Sequence, residues 1–170
     1  MNLGGGLNRP RPSETDPPAF LHCTRPPLLH DLDLVGPIEL QLDATCTAPD
    51  TAFIAVLQDV DDHGNSTNVT AGYLRASLRR VDEVASKPGI PVLPCRTFEA
   101  VPIGERVAYR IPLVAQCRRF RAGHTIRLHL TTDDQSKDSP ALLEFRHASV
   151  GTSSFNTVLS SSRLLLRLVG

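Results

Sequence analysis

The sequence has 170 residues, enough for one domain that withdraws about 70% of its unfolded surface from water. Its 18 basic and 18 acidic residues cancel, leaving no bulk charge to draw nucleic acid or anionic lipid. Hydrophobic residues make up 41%, aromatic residues 5%, and there is no Trp, so the core must be aliphatic and β-branched. No apolar run approaches the roughly 18 residues of a membrane helix.

Residues 1–18 read as an irregular lead-in. Gly-Gly-Gly, Pro-Arg-Pro and Pro-Pro interrupt them, and no apolar h-region marks a secretory signal. A β domain is expected over residues 19–170. Phe20–Thr24 and Leu28–Leu34 are short apolar segments split by Pro26-Pro27, a pattern that suits edge strands. Gly36-Pro37 opens the next strand, in which Ile38, Leu40, Leu42 and Ala44 alternate with Glu39, Gln41 and Asp43 and so share one buried face. Ala48–Thr51 is a turn. Phe53–Val60 is apolar on nearly both faces, Asp61–Asn65 turns the chain, and Gly72–Arg79 reads as a strand with Leu74, Ala76 and Leu78 inward. Leu34 to Arg79 is thus a β-meander.

Arg80–Ser86 fits one helical turn. The three prolines of Lys87–Pro94 exclude a central strand or a helix. Arg106–Leu113 places Val107, Tyr109, Ile111 and Leu113 inward, with Arg106 and Arg110 outward. Arg119–His124 reads as a turn through Gly123, and His124–Thr132 alternates Ile126, Leu128 and Leu130 with Arg127 and His129. Leu142–Arg146 is a weaker strand. Arg163–Val169 sets Leu164, Leu166 and Leu168 against Arg163 and Arg167. Short strands with regular turn signals, and no long helical stripe, predict an all-β sandwich or barrel.

Sites of chemistry are scarce in the sequence. Gly64-Asn-Ser66-Thr-Asn68 and Gly151-Thr-Ser153-Ser-Phe155 approach the G-x-S-x-G nucleophile elbow, but both lack its second Gly and neither precedes a helix. No catalytic residue is assigned. Asp59-x-Asp61-x-His63-Gly64 resembles the start of a calcium loop, yet His63 is a poor ligand for a hard cation and Thr70 stands where a bidentate Glu is needed. A hairpin turn is the expected reading. His124 and His129 fall on opposite strand faces, which disfavours a shared metal, and His129 beside Arg127 is expected on the exposed polar face. His22 and Cys23 point apart for the same reason. The outward arginines Arg75, Arg79, Arg106, Arg110 and Arg127 form either a charged solvent face or an anion or sugar patch. Asn65 and Asn68 match glycosylation acceptors, without a signal to expose them to modification. Cys23, Cys46, Cys95 and Cys117 show no C-x-x-C spacing, so unpaired thiols, a cytoplasmic protein and no metal or other cofactor are expected.

Several motifs in fixed order carry a family resemblance. They are Val35-Gly36-Pro37-Ile38, Ala48-Pro49-Asp50-Thr51, Leu57-x-Asp59-Val60, Asn68-Val-Thr70 with Gly72-x-Leu74-Arg75-Ala76, and Phe120-Arg-Ala-Gly123-His124. Over roughly residues 3 to 169 the chain resembles the C-terminal, non-catalytic domain of the X-Pro dipeptidyl-peptidase and cocaine esterase family of serine hydrolases. The resemblance implies a jelly-roll β-sandwich of the galactose-binding-domain type, appended in the family to an α/β-hydrolase domain. It also implies family-motif positions that are structural, not catalytic: Gly36, Pro37, Pro49, Asp50, Asp59, Gly72, Arg75 and Gly123. Two departures stand out. Ala52 replaces a second turn acid, and the Trp-bearing first strands of the family's jelly roll have no counterpart here. The chain is then expected to lack those strands and the hydrolase domain.

The function this implies is that of an accessory domain that stabilises or shapes a separate α/β-hydrolase domain or subunit, whose family activity is dipeptidyl-peptidase or acyl-ester hydrolysis. The alternatives are a stand-alone carbohydrate- or ligand-binding jelly roll, or a truncated gene remnant. Self-association through an open sheet edge is the other expected contact, with neither nucleic acid nor membrane as a partner.

Overall fold

The structure, a computed structural model, describes residues 20–132 and 154–169. The expected lead-in, the strand at Leu142–Arg146 and most of the Gly151–Phe155 string lie outside these residues. The strands are β1 (Phe20–Thr24), β2 (Leu32–Cys46), β3 (Ala52–Val60), β4 (Ser66–Arg75), β5 (Val107–Phe120), β6 (Thr125–Thr131), β7 (Asn156–Val158) and β8 (Arg163–Val169). They form one antiparallel sheet in the order β1-β6-β3-β4-β5-β2-β7, with β8 also paired to β2. The fold is an all-β jelly-roll sandwich, because that sheet curls back on itself.

The curl is located by a single ladder pair. β4 and β5 share one ladder pair, Gly72 with Leu113, so the sheet bends there into two walls, β1-β6-β3-β4 and β5-β2-β7/β8. Their inner faces enclose one core, with Phe53, Leu57, Ile126 and Leu128 from the first wall and Leu34, Leu40, Leu42 and Ile111 from the second. The rings of Phe53 and Tyr109 touch across the gap at 4.9 Å between centroids. Burial pushes the Tyr109 hydroxyl up to about 12.

Gly72 is what lets the bend close. A Cβ there would lie 2.4 Å from the Pro112 carbonyl oxygen and 3.0 Å from the Leu113 side chain, and the backbone oxygen cannot swing aside. Gly72→Ala is expected to destabilise the chain by roughly 2–3 kcal/mol through overpacking, read as a lower midpoint in urea unfolding with unchanged slope. A midpoint equal to the parent's would show that the two walls do not need this close approach.

Several expectations shift in the structure. Leu28–Leu34 is not an edge strand. Residues 32–36 belong to β2, which continues through a bulge at Gly36–Ile38 and lies between β5 on one side and β7 and β8 on the other. Gly36 has φ 117°, so Gly36-Pro37 marks the bulge and not a strand start. β1 is an edge, as its sequence suggests. The Gly72–Arg79 strand is displaced. β4 runs from Ser66 to Arg75 and ends in a short 3-10 helix, Ala76–Leu78, because Ala76 N–H donates to Thr51 O and Ser77 N–H to Asp50 Oδ1. The turn before β6 is shorter than Arg119–His124. β5 keeps its ladder to Phe120, opposite Leu32, and the chain reverses at Arg121–His124 with Gly123 at φ 83°.

Residues 80–105 form an irregular cover on the outside of the second wall. Asp82 caps a single turn, accepting from the Val84 and Ala85 amides. Lys87–Ile90 folds as a tight turn at Gly89, close to Pro37. Val101 N–H then donates to Pro49 O, and Gly104 N–H to Cys46 O.

Candidate functional site

Three carboxylates are buried in the described residues, Glu39, Asp50 and Asp59, and each is held by an arginine. A buried charge is tolerated only when paired and hydrogen-bonded, so these groups show first what the molecule does with its polar residues. Asp50 stands at the turn between β2 and β3. Its Oδ2 accepts from Arg75 Nε at 2.6 Å, and its Oδ1 accepts from the Thr51 and Ser77 amides, both at 3.0 Å. The Arg75 guanidinium sits over the Phe98 ring at 5.7 Å. Pro49 and Asp50 therefore meet Arg75, distant in sequence, at one corner that ties the turn, the end of β4 and the covering loop together.

Asp59 marks the opposite end of β3. Its Oδ2 accepts from Arg118 Nη2 at 2.7 Å, and its Oδ1 lies 2.8 Å from His124 Nδ1. Arg118 reaches from the second wall and Asp59 from the first, so the pair closes that end of the sandwich. The Gly123 turn brings His124 to it. An aspartate orienting a histidine is two-thirds of a catalytic triad. Among the described residues, however, no hydroxyl or thiol is hydrogen-bonded to His124, so the arrangement has no nucleophile in place.

Calcium binding at Asp59–Gly64 is not supported by the geometry. Asp59 faces inward to Arg118, whereas Asp61 turns outward and accepts from the His63 and Asn65 amides. The described residues contain no cluster of potential metal ligands. Ser66 opens β4, a strand and not the helix that a nucleophile elbow requires.

Glu39 is the most completely buried acid, at 0% exposure. Arg110 binds it through Nε at 2.6 Å and Nη2 at 3.2 Å, while Arg110 Nη1 reaches Glu83 at 3.2 Å. The Glu39 hydrogen bond holds Arg110 above its ordinary value. The outward arginines thus do not make an anion patch. Arg75 is neutralised by Asp50, Arg79 by Glu99, Arg106 by Asp43 and Arg110 by Glu39. Of that group Arg127 alone has no carboxylate partner among the described residues, and its Nε is buried without a hydrogen bond.

His129 is buried, at 6% exposure, and not on an exposed polar face. β6 lies between β1 and β3, and two rings of β1, Phe20 and His22, lie against the His129 ring. In the ladder His129 stands opposite His22, and His22 Nε2 lies 2.8 Å from His129 Nδ1. Phe20 stacks on the His129 ring at 5.2 Å. Burial, then the neighbouring His22 and Arg127, push His129 down from 6.5 to about 4; burial and Arg127 lower His22 as well. The unfolded chain then binds more protons than the folded one below 6.5. Stability should be fully present above pH 6.5 and fall by roughly 1–3 kcal/mol as pH drops toward 4. His129→Gln, which cannot titrate, should flatten that profile in urea unfolding across the window; an equally steep profile in the variant would assign the acid sensitivity elsewhere.

The motif residues fall into separate places: Pro49, Asp50 and Arg75 at one corner, Asp59 and Gly123 at the other end, Gly36 and Pro37 at the bulge, Gly72 at the bend. Sequence reasoning missed Glu39, Arg118 and the His22–His129 pair. A register assignment placing His22 opposite His129 would have revealed the last of these.

Comparison with known proteins gives this arrangement a context. Residues 12–145 match the family of X-Pro dipeptidyl-peptidase C-terminal non-catalytic domains. Putative serine esterases of Mycobacterium bovis and Mycobacterium tuberculosis are each 33% identical over 141 residues, a match covering 80% of this chain and 22% of those proteins. The chain therefore spans about a fifth of the length of the curated relatives it matches. Among solved structures, a CocE/NonD family hydrolase from Staphylococcus aureus superposes with a TM-score of 0.75 at 21% identity, over 88% of this chain and 30% of that one. An aminopeptidase from a marine sediment Thaumarchaeota archaeon reaches 0.70 at 15% identity, over 89% and 26%. These structural likenesses concern the fold. With the family model matching most of its length, the chain belongs to the X-Pro dipeptidyl-peptidase C-terminal non-catalytic domain family.

Proposed function

We propose that the chain is the accessory domain of a serine hydrolase of the X-Pro dipeptidyl-peptidase and cocaine esterase type. It docks on an α/β-hydrolase domain that carries the nucleophile, stabilises that domain and shapes the approach to its active site. The observation that carries this reading is the match of residues 12–145 to a domain family described as non-catalytic. The buried acids support it, since Glu39, Asp50 and Asp59 are each occupied in an ion pair that joins elements of the sandwich. The motif residues Gly36, Pro37, Pro49, Asp50, Asp59, Gly72, Arg75 and Gly123 then serve the fold and not the reaction. No described helix is long and apolar enough to cross a membrane. All four cysteines are unpaired, which favours a reducing compartment, the cytoplasm.

An affinity-tagged chain expressed in its own host tests the reading. It should retain a protein that a fluorophosphonate probe labels, while taking no label itself. Retention of no labelled serine hydrolase, or label on the chain, would refute it.

A further inference from the structure

We propose that the His22–His129 pair is an acid-operated latch on β1: once both rings carry a proton, this edge strand leaves β6 while the rest of the sandwich stays folded. This goes beyond the accessory role and stands independently of it.

β1 is the edge of the first wall, five residues long and exposed throughout. Among the described residues it forms a ladder with β6 alone. Beyond that ladder its ring contacts converge on one residue. His22 Nε2 lies 2.8 Å from His129 Nδ1, and Phe20 stacks on the same imidazole. Past the strand, the Arg25 and Leu28 amides donate to the Ile126 and His124 carbonyls, so the histidine pair is left to hold the Phe20–His22 end.

The chemistry of the bond sets the switch. A hydrogen bond between two imidazoles needs an N–H on one ring and a lone pair on the other. One proton added to the pair leaves an imidazolium donating to a neutral ring, and the bond survives. A second proton removes the acceptor and leaves two cations facing each other across the ladder. The other titratable and charged groups on that face, among the described residues, are Arg127 on β6, Tyr73 on β4 and, at the end of β4, Arg75, which Asp50 holds; β1 and β3 contribute none. No carboxylate is therefore turned to the pair, and Arg127 adds to the repulsion.

In the folded chain His129 takes its proton only at about 4, because burial and then His22 and Arg127 oppose the charge. In water a histidine takes it at about 6.5. Between those values acid favours the released strand, which binds more protons than the latched one. Release leaves backbone N–H and C=O groups of β6 unpaired along one edge, a surface that another strand can join.

Hydrogen exchange of the full chain, followed by peptide mass and expressed against intrinsic amide rates, tests this at pH 5 and pH 7.5, with and without urea below the unfolding transition. Opening of Phe20–Thr24 should rise about thirtyfold at pH 5. It should not respond to urea, since one short strand exposes little surface. Phe53–Leu57 of β3, which opens only with the whole fold, should exchange faster as urea is added. In His129→Gln, whose side chain does not titrate, the pH effect on β1 should shrink to below about fivefold. Equal opening of β1 at both pH values, or a β1 response to urea as steep as that of β3, would overturn the proposal. So would a pH effect of undiminished size in the variant. The two wild-type readings decide the matter even if the variant does not fold.

Discussion

Replacing Glu39 by alanine is expected to cost the chain roughly 3–5 kcal/mol of stability, the usual loss when one partner of a buried ion pair is removed. Glu39 has no exposed surface, and its carboxylate engages two nitrogens of Arg110. Truncation would leave the guanidinium, itself only a quarter exposed, facing an empty space with Glu83 as its remaining acid. The charge, more than the lost contact area, sets the size of the effect. Glu39→Leu combined with Arg110→Met should accordingly recover most of the loss, because both charges leave together. Denaturant unfolding of the two single variants and the double variant measures this. Additive losses in the double variant would mean that the pair is not coupled, and that Glu39 is buried by the covering loop for another reason.

Asp50→Ala is expected to lose roughly 2–4 kcal/mol. One charge-assisted hydrogen bond to Arg75 disappears, and the Ser77 amide, in a residue with no exposure, loses its acceptor. Asp50→Asn keeps an oxygen for the Thr51 and Ser77 amides but gives up the charge, so about half the loss should remain. The comparison separates the roles of Asp50. If asparagine is as damaging as alanine, the Arg75 contact dominates the corner; if it is harmless, the backbone caps do. A loss below about 0.5 kcal/mol in Asp50→Ala, the level of an ordinary surface change, would show that the corner does not hold the fold.

Much of the fold was legible because the core alternates cleanly. β3 declares burial on both faces through Phe53–Val60, and the structure covers both. The inward residues of β5 and β6 follow the same period-2 rule. What escaped the pattern depended on neighbours that no local window contains. His129 looks like the polar side of an alternating strand, yet Phe20 and His22 of β1 lie against its ring. Glu39 looks solvent-facing until residues 80–105 lie across the outside of β2 and β5. Arg119 looks like a turn residue, but Arg118 and Arg119 pair with Asp59 of β3 and Asp33 of β2, and β5 continues to Phe120. The family motifs, by contrast, were visible as strings and acquired their physical sense only in three dimensions: Pro49, Asp50 and Arg75 are one corner, and Gly72 is the point where one wall must nearly touch the other.

In the proposed role the chain works through a hydrolase partner and contributes no chemistry of its own. The most direct test follows p-nitrophenyl butyrate hydrolysis by the retained serine hydrolase during heating, with and without the purified chain, alongside the chain alone. The prediction is no hydrolysis above buffer for the chain alone, and a several-fold longer half-life of the partner's activity when the chain is present. Ester hydrolysis by the chain itself, or a partner whose rate and half-life are indifferent to it, would contradict the proposed role.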